Sequence, residues 1–176
     1  MADDTVRASA LGLELRAGGD TLAGSVALWG LLSGAAARWL GVPPIRAAAI
    51  GLGALGGHWG SVLWHHLGHA AAASGTGFPM RGIRFKAVFG TSLYPADEEV
   101  ISATVHRRRA LGGPFASLAL AAVAGNAALA LRRPGGLPLR FAQLLCLYNF
   151  FGLTLAAFLP LDFTDGGTLL RLRGQD

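Results

Sequence analysis

Charge is what this chain of 176 residues has least of: 14% of its residues are charged against 52% apolar, and its mean hydropathy is +0.46. Both values lie far from those of soluble globular domains. Asp, Glu, Lys and Arg are missing altogether from four stretches, residues 21–37, 47–73, 110–131 and 141–161. Each is long enough, at 1.5 Å per residue, to cross ~30 Å of hydrocarbon, the first near the lower limit. A soluble helical bundle would alternate a polar face with its buried one, and these stretches have no such face. The expected fold is an all-α, multi-pass membrane protein with about four transmembrane helices.

Cysteine is nearly absent too. The single Cys146 lies in the fourth apolar run, which excludes a disulfide framework. The first twenty residues hold two basic side chains (Arg7, Arg16) against four acidic ones (Asp3, Asp4, Glu14, Asp20), the reverse of a secretory n-region, although Ala35-Ala36-Ala37 has the small residues of a cleavage site. Repeats, low-complexity tracts and a separate soluble domain are not visible. The expectation is a single membrane-embedded domain over residues 1–176, with 1–20 as a polar N-terminal segment.

The basic residues divide unevenly. With four crossings, the N-terminus, the 74–109 connection and the C-terminus share one side and carry ten Lys and Arg; the opposite side carries five. By the positive-inside rule both termini face the cytoplasm of a cell membrane. The net charge of +5 is then topology and contact with anionic lipid, and no nucleic-acid partner is expected. Gly51-Leu52-Gly53-Ala54-Leu55-Gly56 fits a dinucleotide glycine pattern but lacks the preceding strand, so no nucleotide is expected either. Gly53 with Gly57 and Gly56 with Gly60 have the spacing of close helix packing.

Against this apolar background stands His65-His66-Leu67-Gly68-His69, answered much later by Asp165-Gly166-Gly167. Residues four apart stack on one helical face, so His65 and His69 can grip one metal ion, with Asp165 as an acidic third ligand and one position left for water. The second and fourth helices both run toward the cytoplasm, so the two motifs fall at matching depth. His58 lies roughly 10 Å up the same helix and cannot share that ion; it reads as a polar contact to a neighbouring helix or part of a water pathway.

In the 74–109 connection, Ile83, Phe85, Ala87 and Phe89 alternate with Arg84, Lys86 and Val88, predicting a short strand or hairpin with Gly90-Thr91-Ser92 as a turn. Asp97-Glu98-Glu99 is expected to open a short helix that Arg107-Arg108-Arg109 closes. Pro114 is expected to bend the third helix, and Pro160 to end the fourth.

Three stretches together carry a family resemblance: His65-x-x-x-His69 followed by Ala70, then Gly112-Gly113-Pro114-Phe115-Ala116-Ser117-Leu118, then Leu159-Pro160-x-x-x-x-Asp165-Gly166-Gly167. In order and approximate spacing the chain resembles the site-2 protease family of intramembrane zinc metallopeptidases over roughly residues 50–170. The resemblance implies Zn2+ held by His65, His69 and Asp165, and hydrolysis of a peptide bond in or near a transmembrane segment of a protein substrate. It also implies that the strand in the connection pairs with an unwound substrate; an interfacial ribbon anchored to lipid is the other reading.

Two positions depart from the pattern. The family has His-Glu-x-x-His, the Glu acting as general base, and here that position is His66. The family's Asn three residues before the Pro is Ala157, and Asn149 does not replace it. Zinc still acidifies water without the Glu, but the missing carboxylate is worth roughly 10²- to 10⁴-fold in proton transfer. The alternative to an impaired peptidase is therefore a pseudoprotease that binds metal and a membrane client without cutting. A haem carrier is a further reading, against which the Asp-Gly-Gly partner favours zinc.

Overall fold

In the computed structural model, which describes residues 6–96 and 101–174, the chain begins with a β-hairpin. Strand β1 (Val6–Ala10) pairs antiparallel with β2 (Leu13–Ala17), and the two residues between them, Leu11 and Gly12, both take left-handed backbone at φ 53° and 76°. Two left-handed residues give a turn whose twist matches that of the flanking strands. After α1 (Gly19–Leu40) and α2 (Pro44–Ser74), β3 (Gly82–Lys86) and β4 (Phe89–Leu93) form a second hairpin. β3 runs parallel to β2 with Leu15 opposite Ile83, completing a four-stranded sheet in the order β1-β2-β3-β4. Helix α3 (Ala103–Ala130) and α4 (Gly136–Leu147) follow. α4 continues as a π-helical segment (Tyr148–Leu155) and a short 3-10 turn (Ala156–Phe158), and α5 (Asp165–Arg171) is the last element.

The protein is thus mostly helical with a small sheet. It forms two compact units, Met1–Val62 with Arg81–Leu93, and Leu63–Met80 with Tyr94–Asp176.

In the first unit the β3–β4 turn is gripped from three directions. Thr21 Oγ1 donates to the Phe85 carbonyl at 2.9 Å, His58 Nε2 donates to the Val88 carbonyl at 3.0 Å, and Gly24 lies so close to the Ala87 backbone that a Cβ there would collide with it. His58, expected to make a polar contact, makes one to this hairpin turn. The turn itself falls at Ala87-Val88, with Ala87 at φ 51°, whereas Gly90, Thr91 and Ser92 lie within β4. The register explains the difference from the expected turn: Gly90 pairs with Phe85 and Thr91 with Arg84, so these residues are part of the ladder.

In the second unit α2 and α3 meet backbone to backbone. A Cβ on Gly68 would strike the Gly112 carbonyl, and a Cβ on Gly112 would strike the Gly68 carbonyl. Of the glycines expected to pack closely, Gly53, Gly56 and Gly60 have open space, a Cβ on any of them meeting nothing within 4 Å; in the first unit Gly51 lies tight against Ser33, as Gly24 does against Ala87. Small-xxx-small spacing marks which residues can approach, and the partner backbone decides which do.

Pro114 lies inside α3, which continues through it, and its carbonyl accepts from Thr154 Oγ1 at 3.4 Å. Thr154 also donates to the Asn149 carbonyl at 2.9 Å. Side chains at i and i+5 fall far apart on an α-helix; the wider π-helical turn brings Asn149 and Thr154 to the same buried side. The helical run stops at Phe158, and Leu159 is extended (φ −60°, ψ 141°), as the residue before Pro160 must be to avoid the ring. Arg107, Arg108 and Arg109 do not close a separate helix. They belong to the first turns of α3, which Ser102 caps by accepting from the Val105 amide at 3.4 Å. Asp97, Glu98 and Glu99 lie outside the described residues.

Among the described residues two helical runs, Ala103–Ala130 and Gly136–Phe158, are long and apolar enough to cross a membrane. They leave large apolar side chains facing outward, Phe115, Val123, Leu147 and Phe151 each more than half exposed, as a lipid-facing surface would. α1 and α2 are 22 and 31 residues long, but α2 is diluted by six glycines and four histidines.

The glycine contact sets a paired expectation. Gly112→Ala should destabilise the detergent-solubilised protein by about 1–3 kcal/mol, because the new methyl meets backbone that cannot rotate away. Gly53→Ala should be neutral or stabilising by up to ~1 kcal/mol, the ordinary helix preference of alanine. Equal thermal melts for the two variants would refute the assigned crossing.

Candidate metal centre

His65 and His69 share one face of α2, and the Gly68–Gly112 crossing presses that face against α3. Their Nε2 atoms lie 3.1 Å apart. Asp165 Oδ2, from the first position of α5, lies 3.6 Å from each. Ligands on tetrahedral zinc at 2.0–2.1 Å are separated by about 3.3–3.4 Å, so this triangle is close to one face of such a tetrahedron. Both histidines are more than nine-tenths buried, and the Asp165 side chain is 18% exposed.

The protons fit the same picture. His69 Nδ1 is 2.8 Å from the Arg109 carbonyl, which can only accept, so Nδ1 carries the hydrogen and Nε2 presents a lone pair. The Gly113 amide also approaches this Nδ1, at 3.3 Å, but the shorter contact to the carbonyl decides the tautomer. His65 Nδ1 lies 2.9 Å from the fully buried Ser117 Oγ, an oxygen able to accept its hydrogen in the same way. Two imidazole lone pairs and a carboxylate oxygen then converge on one point, an arrangement a cation satisfies. Partners on the far ring nitrogen are the usual means of orienting histidine ligands.

Three further features build the pocket. Gly113 leaves the space over the ligand atoms open, since a Cβ there would run into both the His65 and His69 Nε2 atoms. Gly166 and Gly167 let the start of α5 fold back onto the Phe158 and Leu161 carbonyls, and Thr164 caps the helix by accepting from the Gly167 amide at 3.2 Å. Arg107 donates from Nη2 to the Leu172 carbonyl at 2.8 Å, tying the C-terminal end of α5 to α3.

The structure therefore brings together the three residues expected to share an ion, among them a carboxylate 96 positions beyond the nearer histidine. His66 is buried in the same cluster, its ring centre 5.5 Å from that of His65 and 5.6 Å from that of His69. Ala157 lies in the 3-10 turn, and Asn149 is buried within the π-helical segment. Sequence reasoning missed Ser117, the Arg109 carbonyl and Arg107. Ser117 sits within the Gly112–Leu118 stretch already singled out, but its partnership with His65 spans 52 positions and has no local signal.

Neither a family model nor a curated protein matches the sequence. Among solved structures, the fold is similar to that of the Site-2 Protease from Methanocaldococcus jannaschii, with a TM-score of 0.63 and 19% identity over 96% of this chain and 70% of that one. At that identity the likeness shows a shared fold.

The site's geometry carries a direct test. Protein purified in detergent should hold about one zinc per chain, and His65→Ala or Asp165→Ala should remove it while leaving membrane insertion intact. Metal analysis that finds the same zinc in the wild type and both variants would rule out these ligands.

Proposed function

We propose that this chain is a multi-pass membrane protein of the site-2 protease type, with His65, His69 and Asp165 as zinc ligands, acting on or holding a transmembrane segment of another protein. The observation that carries the reading is the triangle of Nε2, Nε2 and Oδ2 atoms with 3.1–3.6 Å edges, its two histidines buried. The shared fold and the outward-facing apolar helices support it. Zinc bound there would supply Lewis acidity, acidifying water and polarising a peptide carbonyl.

The chain's own residues divide the remaining work. Ser117 and the Arg109 carbonyl keep both imidazoles in the ligating orientation. Gly113 keeps the approach to the three donors clear. His66 occupies the place of the general base, and an imidazole can accept a proton but offers one lone pair in the ring plane where a carboxylate offers two oxygens. Retained metal ligation beside an altered base favours a second reading, a pseudoprotease that holds its client without cleavage.

Four crossings with cytoplasmic termini complete the proposal, supported by the ten-to-five division of basic residues and by the helices found at all four predicted stretches. In a Cys146→Ser background, cysteine at Thr91 should be labelled from the cytoplasmic side and cysteine at Arg133 from the opposite side. The reverse pattern would overturn the orientation.

His66→Glu separates the two functional readings. It should raise cleavage of a permissive model transmembrane substrate by about 10²-fold or more, with zinc content unchanged. A smaller gain that grows on adding Ala157→Asn would locate a second deficit in substrate positioning. If His66→Glu instead abolished an activity of the natural protein, His66 would itself be catalytic or a ligand, and the assigned roles would be wrong.

A further inference from the structure

Arg109 is an arginine with only 4% of its surface exposed, in a chain only 14% of whose residues are charged. Its guanidinium donates twice to one acceptor, the Phe78 carbonyl, from Nη2 at 2.6 Å and from Nε at 3.2 Å. The same group lies over the Tyr94 ring, 4.0 Å from its centre, with the Phe78 ring at 5.9 Å. Phe78 and Tyr94 are the residues that bracket, in sequence, the stretch carrying β3 and β4. One side chain on α3 thus holds both ends of that excursion. A buried guanidinium with paired N–H contacts and an aromatic face is worth considerably more than an exposed one, and lysine cannot reproduce the fork.

The backbone of the same residue does something else. The Arg109 carbonyl, near the start of α3, receives the His69 Nδ1 hydrogen at 2.8 Å and so fixes the ligating tautomer. Arg109 therefore touches the ends of the excursion through its side chain and a candidate metal ligand through its main chain. We infer that Arg109 is a positioning residue that couples the anchoring of the α2–α3 connection to the orientation of His69, so that release of the guanidinium loosens the metal centre. The inference rests on the zinc reading above. The coupling is mechanical. A carbonyl this early in α3 is held by the helix around it and by whatever fixes the residue that bears it, and at residue 109 that fixing group is the guanidinium. Outer-shell partners of metal histidines typically contribute roughly 10- to 100-fold in affinity.

The test loads intact, detergent-solubilised protein with Zn2+ and follows two rates: stripping of zinc by a chelator, and tryptic cleavage at Arg81 and Arg84, both exposed. Arg109→Gln should release zinc about tenfold faster than wild type and should also be cut faster. Arg109→Lys, which keeps the cation but loses the double contact to Phe78, should fall between the two and serves as the readout if the glutamine variant does not fold. Ser117→Ala should speed zinc release without changing tryptic cleavage, because it touches His65 and neither end of the excursion. If both Arg109 variants are cut faster while releasing zinc at the wild-type rate, the side chain is only an anchor and the coupling is overturned. It is equally overturned if neither rate changes. A wild-type protein that takes up no zinc would instead bring down the zinc reading itself, a result the chelator trace distinguishes at once.

Discussion

The candidate centre depends on one contact, the meeting of α2 and α3 at Gly68 and Gly112. Side chains normally keep helix axes about 8–10 Å apart, and a pair of glycines removes that spacer. The partners of the far ring nitrogens of His65 and His69 come through this closeness. Ser117 reaches His65, the Arg109 carbonyl reaches His69, and Gly113 faces both ring nitrogens, all from α3 residues within two turns of Gly112. A helix held further away would leave the imidazoles without partners in an apolar surround, where an unsatisfied polar group costs several kcal/mol. The glycine crossing and the histidine pair are in this sense one feature.

Asp165 arrives by a different route, and its placement is a problem of chain reversal. The helical run that precedes it has to stop, turn and start again within a few residues. Pro160 ends the run by making Leu159 extended, Thr164 caps the new helix, and Gly166 and Gly167 admit the carbonyls of the turn just left behind. The carboxylate at the first position of α5 also sits where a helix favours negative charge. The local chemistry of the Asp-Gly-Gly motif is thus that of a tight return whose first residue points at the histidines.

How much of this was legible in the sequence depends on the range of the interaction concerned. Helix positions and the His65–His69 pair are read from local spacing, and the structure agrees with them. Asp165 was reachable through its Asp-Gly-Gly motif and the family resemblance, with the matching depth expected of four crossings as a check on it. The N-terminal hairpin was missed, although Leu13 and Leu15 alternate with Glu14 and Arg16 after a Leu11-Gly12 turn, since its pairing with β3 spans nearly seventy positions. The turn at Ala87 was misplaced because Gly90 is the stronger turn former in isolation, and only the ladder shows it paired with Phe85. Which glycines pack closely could not be read at all: Gly53 and Gly68 look alike in sequence, and only the partner helix separates them.

On the reading proposed above, the fold keeps two requirements of intramembrane hydrolysis on separate residues. Holding an ion needs the three donors and the groups behind them, and all of these lie together, the two histidines buried and Asp165 half-buried. Moving a proton needs a suitable group beside them, and that position holds an imidazole. Ser117 and the Arg109 carbonyl reach His65 and His69 from α3, whereas residue 66 belongs to α2, so the groups behind the donors and the group beside them come from different helices. Histidines in an apolar helix are costly without partners, and here each has one on its far ring nitrogen while both near nitrogens face the Asp165 carboxylate. On the proposed reading, that convergence suits a metal centre whether or not the chemistry it supports is that of a peptidase.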